Sequence, residues 1–357
     1  MLYYIDMKRT KFIFIFFTAI SLTQSAVYAQ PEITQEKIPL TASPALRKQI
    51  EKLYSQNPLE RKRAAAKIGE LSKEAQDAIP FLIELLGDSS YCPEPGVIYE
   101  HTPLVYETVN WALIQIGTPS VKPLINALTS SVSLIRTNAA YCLGRIKDRR
   151  AVEPLIKLLN DGDSWVRWQA IRALAELKDR RATEPLLKLL NDEQLRTEII
   201  HVLGQIGDAS AIDTLSFYLK DKNAEVRIAV ISALGNIGHK SAVPFLINAL
   251  SDKDSGVKCQ AISSLGKIGD ASAIDALVSV INSGQKEPTY RSIDALRQIG
   301  NKKAAEILIA LLDDKDANIR KNASWALHGI RGAGVSFGED SARWKAWLNE
   351  NQGKLKK

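Results

Sequence analysis

The chain has 357 residues, 45% of them hydrophobic, and a formal net charge of +7 at pH 7. The apolar fraction is enough for a continuous core. The first 29 residues hold a net +2 through Lys8, Arg9, Lys11 and Asp6, so the remainder carries +5, an excess too mild to argue for a nucleic-acid partner. Length alone suggests two or three globules, but internal repetition overrules that count in favour of one elongated array.

At the N-terminus, Lys8, Arg9 and Lys11 precede an apolar run at 12–20, and Val27 and Ala29 occupy the small-residue positions of a cleavage site before Gln30. This is the pattern of an export signal removed after Ala29, with Met7 as an alternative start. The apolar run is shorter than the ~20 residues of a spanning helix. No cysteine stands at the cleavage point, so a lipid anchor is not expected. The expected location is the periplasm or the medium, with no stable membrane span after cleavage.

Residues 30–57 form a lead-in followed by a capping helix. Ser43 caps a helix at 44–55 with Pro44 at its first position, presenting Leu46, Ile50, Leu53 and Tyr54. A repeat array is expected over 58–331. Its first unit opens at Pro58, has Arg61 seven residues before Ile68, and places a second helix near 78–86. The period then breaks. Ile68 and the matching Leu113 are 45 residues apart, about 14 too many, and the excess is the insertion 91–104, YCPEPGVIYEHTPL, which its three prolines and glycine mark as a loop. The second repeat carries Trp111, Leu113, Ile116 and Gly117, then Pro123, Leu124 and Leu128.

From there the repeat is regular. The late first-helix leucine recurs as Leu143, Leu174, Leu203, Leu234, Leu265, Leu296 and Leu327, at steps of 31 residues with one of 29. Leu-Gly-x-Ile appears at 143–146, 203–206, 234–237 and 265–268. A basic residue stands seven before the leucine in Arg136, Arg167, Arg196, Arg227, Lys258 and Arg320; one repeat breaks the rule, with Thr289 in place and Arg291 two residues late. The segment 224–252 shows the unit at its clearest. Two helices carry apolar residues at helical spacing, and Gly238 closes the first of them. One such pair cannot bury its own apolar faces, so copies must stack. The last repeat has Ile319, Trp325, Leu327 and Ile330 in its first helix. Residues 332–357 supply a glycine-rich link, a capping helix at 340–349 with Trp344, Trp347 and Leu348, and a basic tail.

These motifs resemble the HEAT-like repeats of the phycobilisome-lyase type, over nearly all of the chain from about Pro58 to about Leu348. The resemblance implies an all-α fold of the armadillo type, a right-handed α-α superhelix of about nine helix pairs behind one capping helix. It also implies use as a scaffold that binds other proteins. A different implication is an enzyme or lyase-type subunit related to bilin lyases, which attach a bilin to a partner's cysteine in the cytoplasm; the export signal speaks against it.

No catalytic constellation is legible. Asp163, Asp254 and Asp316 start first helices, with Arg167, Lys258 and Arg320 four residues later. They are expected to cap the helix and to pair with that basic residue, in preference to lining an anion channel. His101, His201, His239 and His328 form no metal-binding pair, and His239 is expected as a solvated cap. Deoxyhypusine hydroxylases are HEAT-like enzymes that hold iron with His-Glu dipeptides, whereas here Glu100-His101 is reversed and lies in a loop. HEAT-like DNA glycosylases need a strongly basic face, which this chain lacks. No cofactor or metal is expected. Among three cysteines, Cys142 occupies a slot held elsewhere by Ala173, Ala233, Ser264 and Ala326 and is expected in the core. Cys259, four repeats on, is too far from it for a disulfide. Cys92, in the insertion, is expected either as a free or intermolecularly paired thiol or, more plainly, as an unpaired and unreactive one.

Two outward rows on the second helices are the candidate interaction face. One reads Glu84, Asn126, Lys157, Lys188, Phe217, Asn248, Ser279 and Ala310. The other reads Lys122, Glu153, Glu184, Asp213, Asp275 and Glu306, with Glu153–Lys157 and Glu184–Lys188 as favourable pairs. Either the face is merely solvated, or it is a polar groove, interrupted by Phe217 and Tyr218, that takes a peptide or protein. Trp165 and Trp168, three residues apart, suggest a partly exposed aromatic ridge, since Trp165 aligns with Leu134, Glu225, Gly256 and Asn318, a tolerant slot. The insertion adds Tyr91 and Tyr99, with Tyr106 close behind. This cluster is either a partner site or local packing. The partner's identity is open, and the chain itself is expected to be a monomer.

Overall fold

The computed structural model describes residues 37–92, 104–330 and 335–351, together with Gly353 and Leu355. The expected export signal lies outside the described residues, as do Tyr99 and His101. Among the described residues there are nineteen α-helices and no strand, only an antiparallel bridge between Tyr91 and Leu104. The chain has the all-α solenoid fold. None of the helices is long and apolar enough to cross a membrane.

Two compact units divide the chain at Leu177/Lys178. The first opens with the capping helix Pro44–Lys52, where Ser43 Oγ accepts from Leu46 N and Leu46, Ile50 and Leu53 are buried. Pairs follow at Pro58–Glu70 with Ile79–Glu84, Val105–Ile116 with Val121–Ala127, and Ser133–Ile146 with Val152–Leu158, and then the first helix Ser164–Leu177. The second unit begins with the second helix Thr183–Lys188. It continues with Arg196–Ile206 and Ile212–Phe217, Ala224–Ile237 and Val243–Ala249, Ser255–Ile268 and Ile274–Asn282, and Lys286–Ile299 and Lys302–Ala310. Ala317–His328 and the terminal helix Ser341–Asn351 complete it.

Each element follows from the repeated sequence. The periodic leucines from Leu143 to Leu327 are all buried. The glycine after the leucine lets neighbouring first helices approach closely. A Cβ on Gly204 would lie 2.7 Å from Ala233 Cα, one on Gly144 2.8 Å from Ala173 Cα, and one on Gly266 2.9 Å from Ala295 Cα. The small residue before the leucine, as Ala173, Ala233, Ser264 and Ala295, is therefore the partner surface of the preceding repeat's glycine where that glycine is present. Several first helices end in a left-handed residue, Gly238 at φ 71° being one, and Lys147 and Lys178 bear the strain where glycine is absent, whereas Ala317–His328 ends at Gly329 with φ −82°. Most second helices are entered through a three-residue 3₁₀ turn. Asp148, Asp208, His239 and Asp270 each accept the amide two residues on, which confirms His239 as an exposed cap.

The end of the chain behaves as a cap. Trp344 is fully buried, donates Nε1–H to Gly338 O at 3.1 Å and meets Phe337 and Trp347 edge-on. The helix packs against Lys302–Ala310, so its aromatic side closes the last apolar face.

Candidate protein-binding surface

The basic residue seven before the leucine has a structural use different from the expected one. Its side chain does not pair with the acid four residues back. Arg136 Nη1 takes the carbonyls of Ser130 and Ser131, and its Nε and Nη2 hold Asp161, 25 residues on, at 2.8 and 2.7 Å. Arg227 repeats the arrangement with Asp221 O, Lys222 O and Asp252. Arg61 does so with Ser55 O, Gln56 O and Asp88, and that ion pair is fully buried, with Ser90 Oγ as a further acceptor. Arg320 takes Asp314 O and reaches Glu339. The same acids accept a second bond from the amide two residues later, as Asp161 does from Asp163 N and Asp252 from Asp254 N. Arg61, Arg136 and Arg227 thus each tie together two successive inter-repeat turns, and a five-donor planar guanidinium fits that task where an ammonium would not, while among the described residues Arg167 takes only the carbonyls of Asp161 and Gly162. Asp163, Asp254 and Asp316 do cap their helices, accepting from Trp165, Val257 and Asn318 N. These ionic groups hold successive repeats together within each unit.

Bonding to Arg136 holds the Asp161 carboxyl below the usual carboxylate range, burial opposing it. At Asp252 the opposing burial is the largest influence, yet the bonds from Arg227 and Asp254 N still leave the carboxyl lowered.

The second-helix rows lie where the sequence puts them. In the first unit Glu84, Asn126 and Lys157 are exposed, and so are Lys122 and Glu153. In the second unit Lys188, Phe217, Asn248, Ser279 and Ala310 are exposed, as are Glu184, Asp213, Asp275 and Glu306. Lys188 pairs with Glu184 at 3.4 Å as expected, and Lys303 from the next second helix reaches Asp275 at 2.6 Å. Phe217 stands out on this polar face at 76% exposure. Tyr218 does not join it. Its ring lies under the Arg196 guanidinium at 5.4 Å, and its hydroxyl reaches Asn191.

The expected aromatic cluster divides. Trp165 and Trp168 meet edge-to-face at 5.6 Å, and Arg172 stacks on Trp168 at 5.0 Å, so both rings are half-buried and Trp165 is less open than its tolerant slot implied. Tyr106 is half-buried, and burial, aided by Glu107, pushes its phenol up to about 12. Tyr91 is 56% exposed at the base of the insertion. Cys92 is buried near Arg61 and Asp88, and burial raises its thiol, which agrees with the unreactive reading. Cys142 is buried as expected, its thiol reaching Asn110 in a network in which Asn110 bonds Asn138 and Asn138 bonds Leu86 O.

A further set was missed. The position two before the periodic leucine faces outward on first helices, and it holds Trp111 and Tyr141 in the first unit, at 41% and 39% exposure. In the second unit it holds Trp325, at 59%, under the Arg297 guanidinium. Trp111 and Trp325, grouped by the sequence with apolar first-helix positions, are thus surface residues. Reading the register two residues upstream of each leucine would have found them. Among the described residues no group of three His, Cys, Asp or Glu side chains could hold a metal ion.

Stacked helix pairs joined by arginine-bridged turns, with a solvated second-helix face, define an α-solenoid repeat protein. Models of HEAT repeats match at residues 101–167, 121–197, 152–219 and 215–297, and a PBS lyase HEAT-like repeat matches at 290–314. These matches cover more than half of the chain, which belongs to the HEAT-repeat family. No curated protein matches it. A crystal structure of an engineered protein is similar at 22% identity and a TM-score of 0.44, covering 88% of this chain and 100% of its own. Human deoxyhypusine hydroxylase in complex with glycerol is similar at 18% identity and a TM-score of 0.32, covering 71% of this chain and 96% of its own. Both likenesses are too loose to bear on function.

Proposed function

We propose that this HEAT-repeat protein is an exported, non-enzymatic scaffold that binds an extended segment of another protein along its second-helix face. The observation that carries the reading is Phe217. A face that is only solvated gives no reason for a phenylalanine 76% exposed among Lys188, Asn248 and Ser279. An aromatic anchor within a polar surround is the usual composition of a binding hot spot. Asp213, one turn before Phe217 and also exposed, favours a partner that places a basic group beside its apolar contact. Export rests on Lys8, Arg9, Lys11, the apolar run at 12–20, and the small residues Val27 and Ala29.

The test is a photo-crosslinking residue at position 217, with the exposed Arg145 on a first helix as the control position. The partner is expected to crosslink from 217 and not from 145; equal labelling at both would remove the second-helix reading. N-terminal sequencing of the envelope fraction should begin at Gln30, and an intact N-terminus on a cytosolic product would remove the export reading.

A further inference from the structure

The arginine ladder lacks two successive rungs, at Lys258 and Thr289. Lys258 stands in an arginine slot, and Ser283 holds the turn position 25 residues on that is Asp161 or Asp252 elsewhere. Thr289 occupies the next arginine slot. By the pattern of Arg136, Arg227 and Arg320, an arginine at 289 would fill the space before the carbonyls of residues 283 and 284. Thr289 is too short and turns to Ile281 O at 3.4 Å, while Arg291 is spent on a surface pair with Glu287. A cleft of about 280 Å³ opens beside this turn, which lines it with Ser283, Gln285 and Pro288.

Lys258 lines this cleft, half-buried, and among the described residues no carboxylate or carbonyl bonds its ammonium. Ser251, Ser279, Ser283 and Gln285 add hydroxyl and amide groups, and Leu250, Ile262 and Val280 give an apolar wall. A partly buried cation without a partner favours an anion. Lys258 is the one charged residue of the lining, so a singly charged carboxylate suits the cleft better than a phosphate. The wall beside it requires an apolar group next to that carboxylate. The volume, at the low end of ligand sites, holds one terminal residue and not a large cofactor. Ser279 belongs both to the cleft and to the exposed second-helix row, so a segment lying on that row in this unit reaches the cleft directly.

We infer that the cleft takes the C-terminal carboxylate of a peptide ending in an apolar residue, with Lys258 as its counter-charge; this rests on the reading of the second-helix face as the binding face. The probe is fluorescein-labelled Gly-Ser-Gly-Ala-Leu, as free acid and as C-terminal amide, titrated with the full chain and followed by fluorescence polarisation. The free acid should bind about tenfold or more tightly than the amide, as expected for loss of a charge-assisted bond. Lys258→Gln should bring the acid to the level of the amide and Lys258→Arg should retain most of the difference. Since nothing among the described residues bonds the Lys258 ammonium, Lys258→Gln should melt like the wild type. Equal binding of acid and amide, indifference to Lys258→Gln, or no binding of either overturns the inference. N-acetylleucine competing as well as the pentapeptide would also overturn it, in favour of a free carboxylic acid. Crosslinking from position 217 does not depend on Lys258. If the cleft fails while that crosslink persists, the second-helix reading stands alone; if the crosslink is lost as well, both fall.

Discussion

Arg136 and Asp161 face each other across one repeat, both carboxylate oxygens bonded by one guanidinium at 2.8 and 2.7 Å. The pair is mostly buried, at 16% and 10% side-chain exposure, so it belongs with the hydrogen-bonded ionic groups whose loss is felt and not with exposed surface pairs. Asp161→Asn is expected to cost ~1–3 kcal/mol in urea unfolding. Asp148→Asn keeps its cap oxygen and loses only the exposed partner Arg150, so its cost should stay within ~0.5 kcal/mol.

The same pair predicts an acid response. Asp161 has a folded value below its unfolded one, chiefly through its bond from Arg136. Its stabilisation is therefore present above the unfolded value and is lost as pH falls through the folded one. The stability gap between wild type and Asp161→Asn should hold from neutral pH to about pH 5 and shrink below about pH 4. A gap that widens on acidification would contradict the assignment.

Gly204→Ala separates helix propensity from packing. Alanine is the better helix former by ~1 kcal/mol, so an isolated helix would gain. Here the new Cβ would lie 2.7 Å from Ala233 Cα, against backbone that cannot turn aside. The expected result is a loss of ~1–3 kcal/mol. Gly162→Ala, with nothing within 4 Å of its Cβ position, should be neutral or gain up to ~1 kcal/mol through the unfolded chain. Thermal unfolding of the two variants should move in opposite directions or at least differ clearly.

The fold was legible because a strict period carries its own register. Once Leu143 to Leu327 are aligned, the buried leucines, the glycine with its small partner and the outward second-helix rows all follow, and each is where the alignment puts it. The arginine's partner was not legible in the same way. Local pair rules look four residues along a helix, whereas Asp161 and Asp252 stand 25 residues from their arginines and meet them through stacking. The alignment held that information in the recurring turn Asp, two residues before each cap. The aromatic residues were the least legible. A tryptophan satisfies core and surface patterns alike, and only the packing shows that Trp344 is enclosed while Trp325 stands out. Cys92 illustrates the converse, a residue of the insertion that is buried near the Arg61–Asp88 pair.

The insertion gives the last test. Tyr91 and Leu104 close it with an antiparallel bridge, and the chain on either side is secured independently of it. Val105 N bonds Ser90 O, Tyr106 N bonds Asp88 O, and the Glu107 carboxylate caps Leu104 N. Asp88 is held in turn by Arg61. Replacing residues 93–103 by a short Gly-Ser linker leaves every one of these bonds in place. Since each repeat is held mainly by its neighbours, the melting temperature should change by no more than about 3 °C. Loops of this length in compact arrays are usually functional or disordered, and the exposed Tyr91 at its base offers a contact surface. Partner crosslinking from position 91 should therefore fall in the linker variant while the repeats remain folded. Undiminished crosslinking with a collapsed melting temperature would instead make the insertion a brace for the first two repeats and leave partner binding to the second-helix rows.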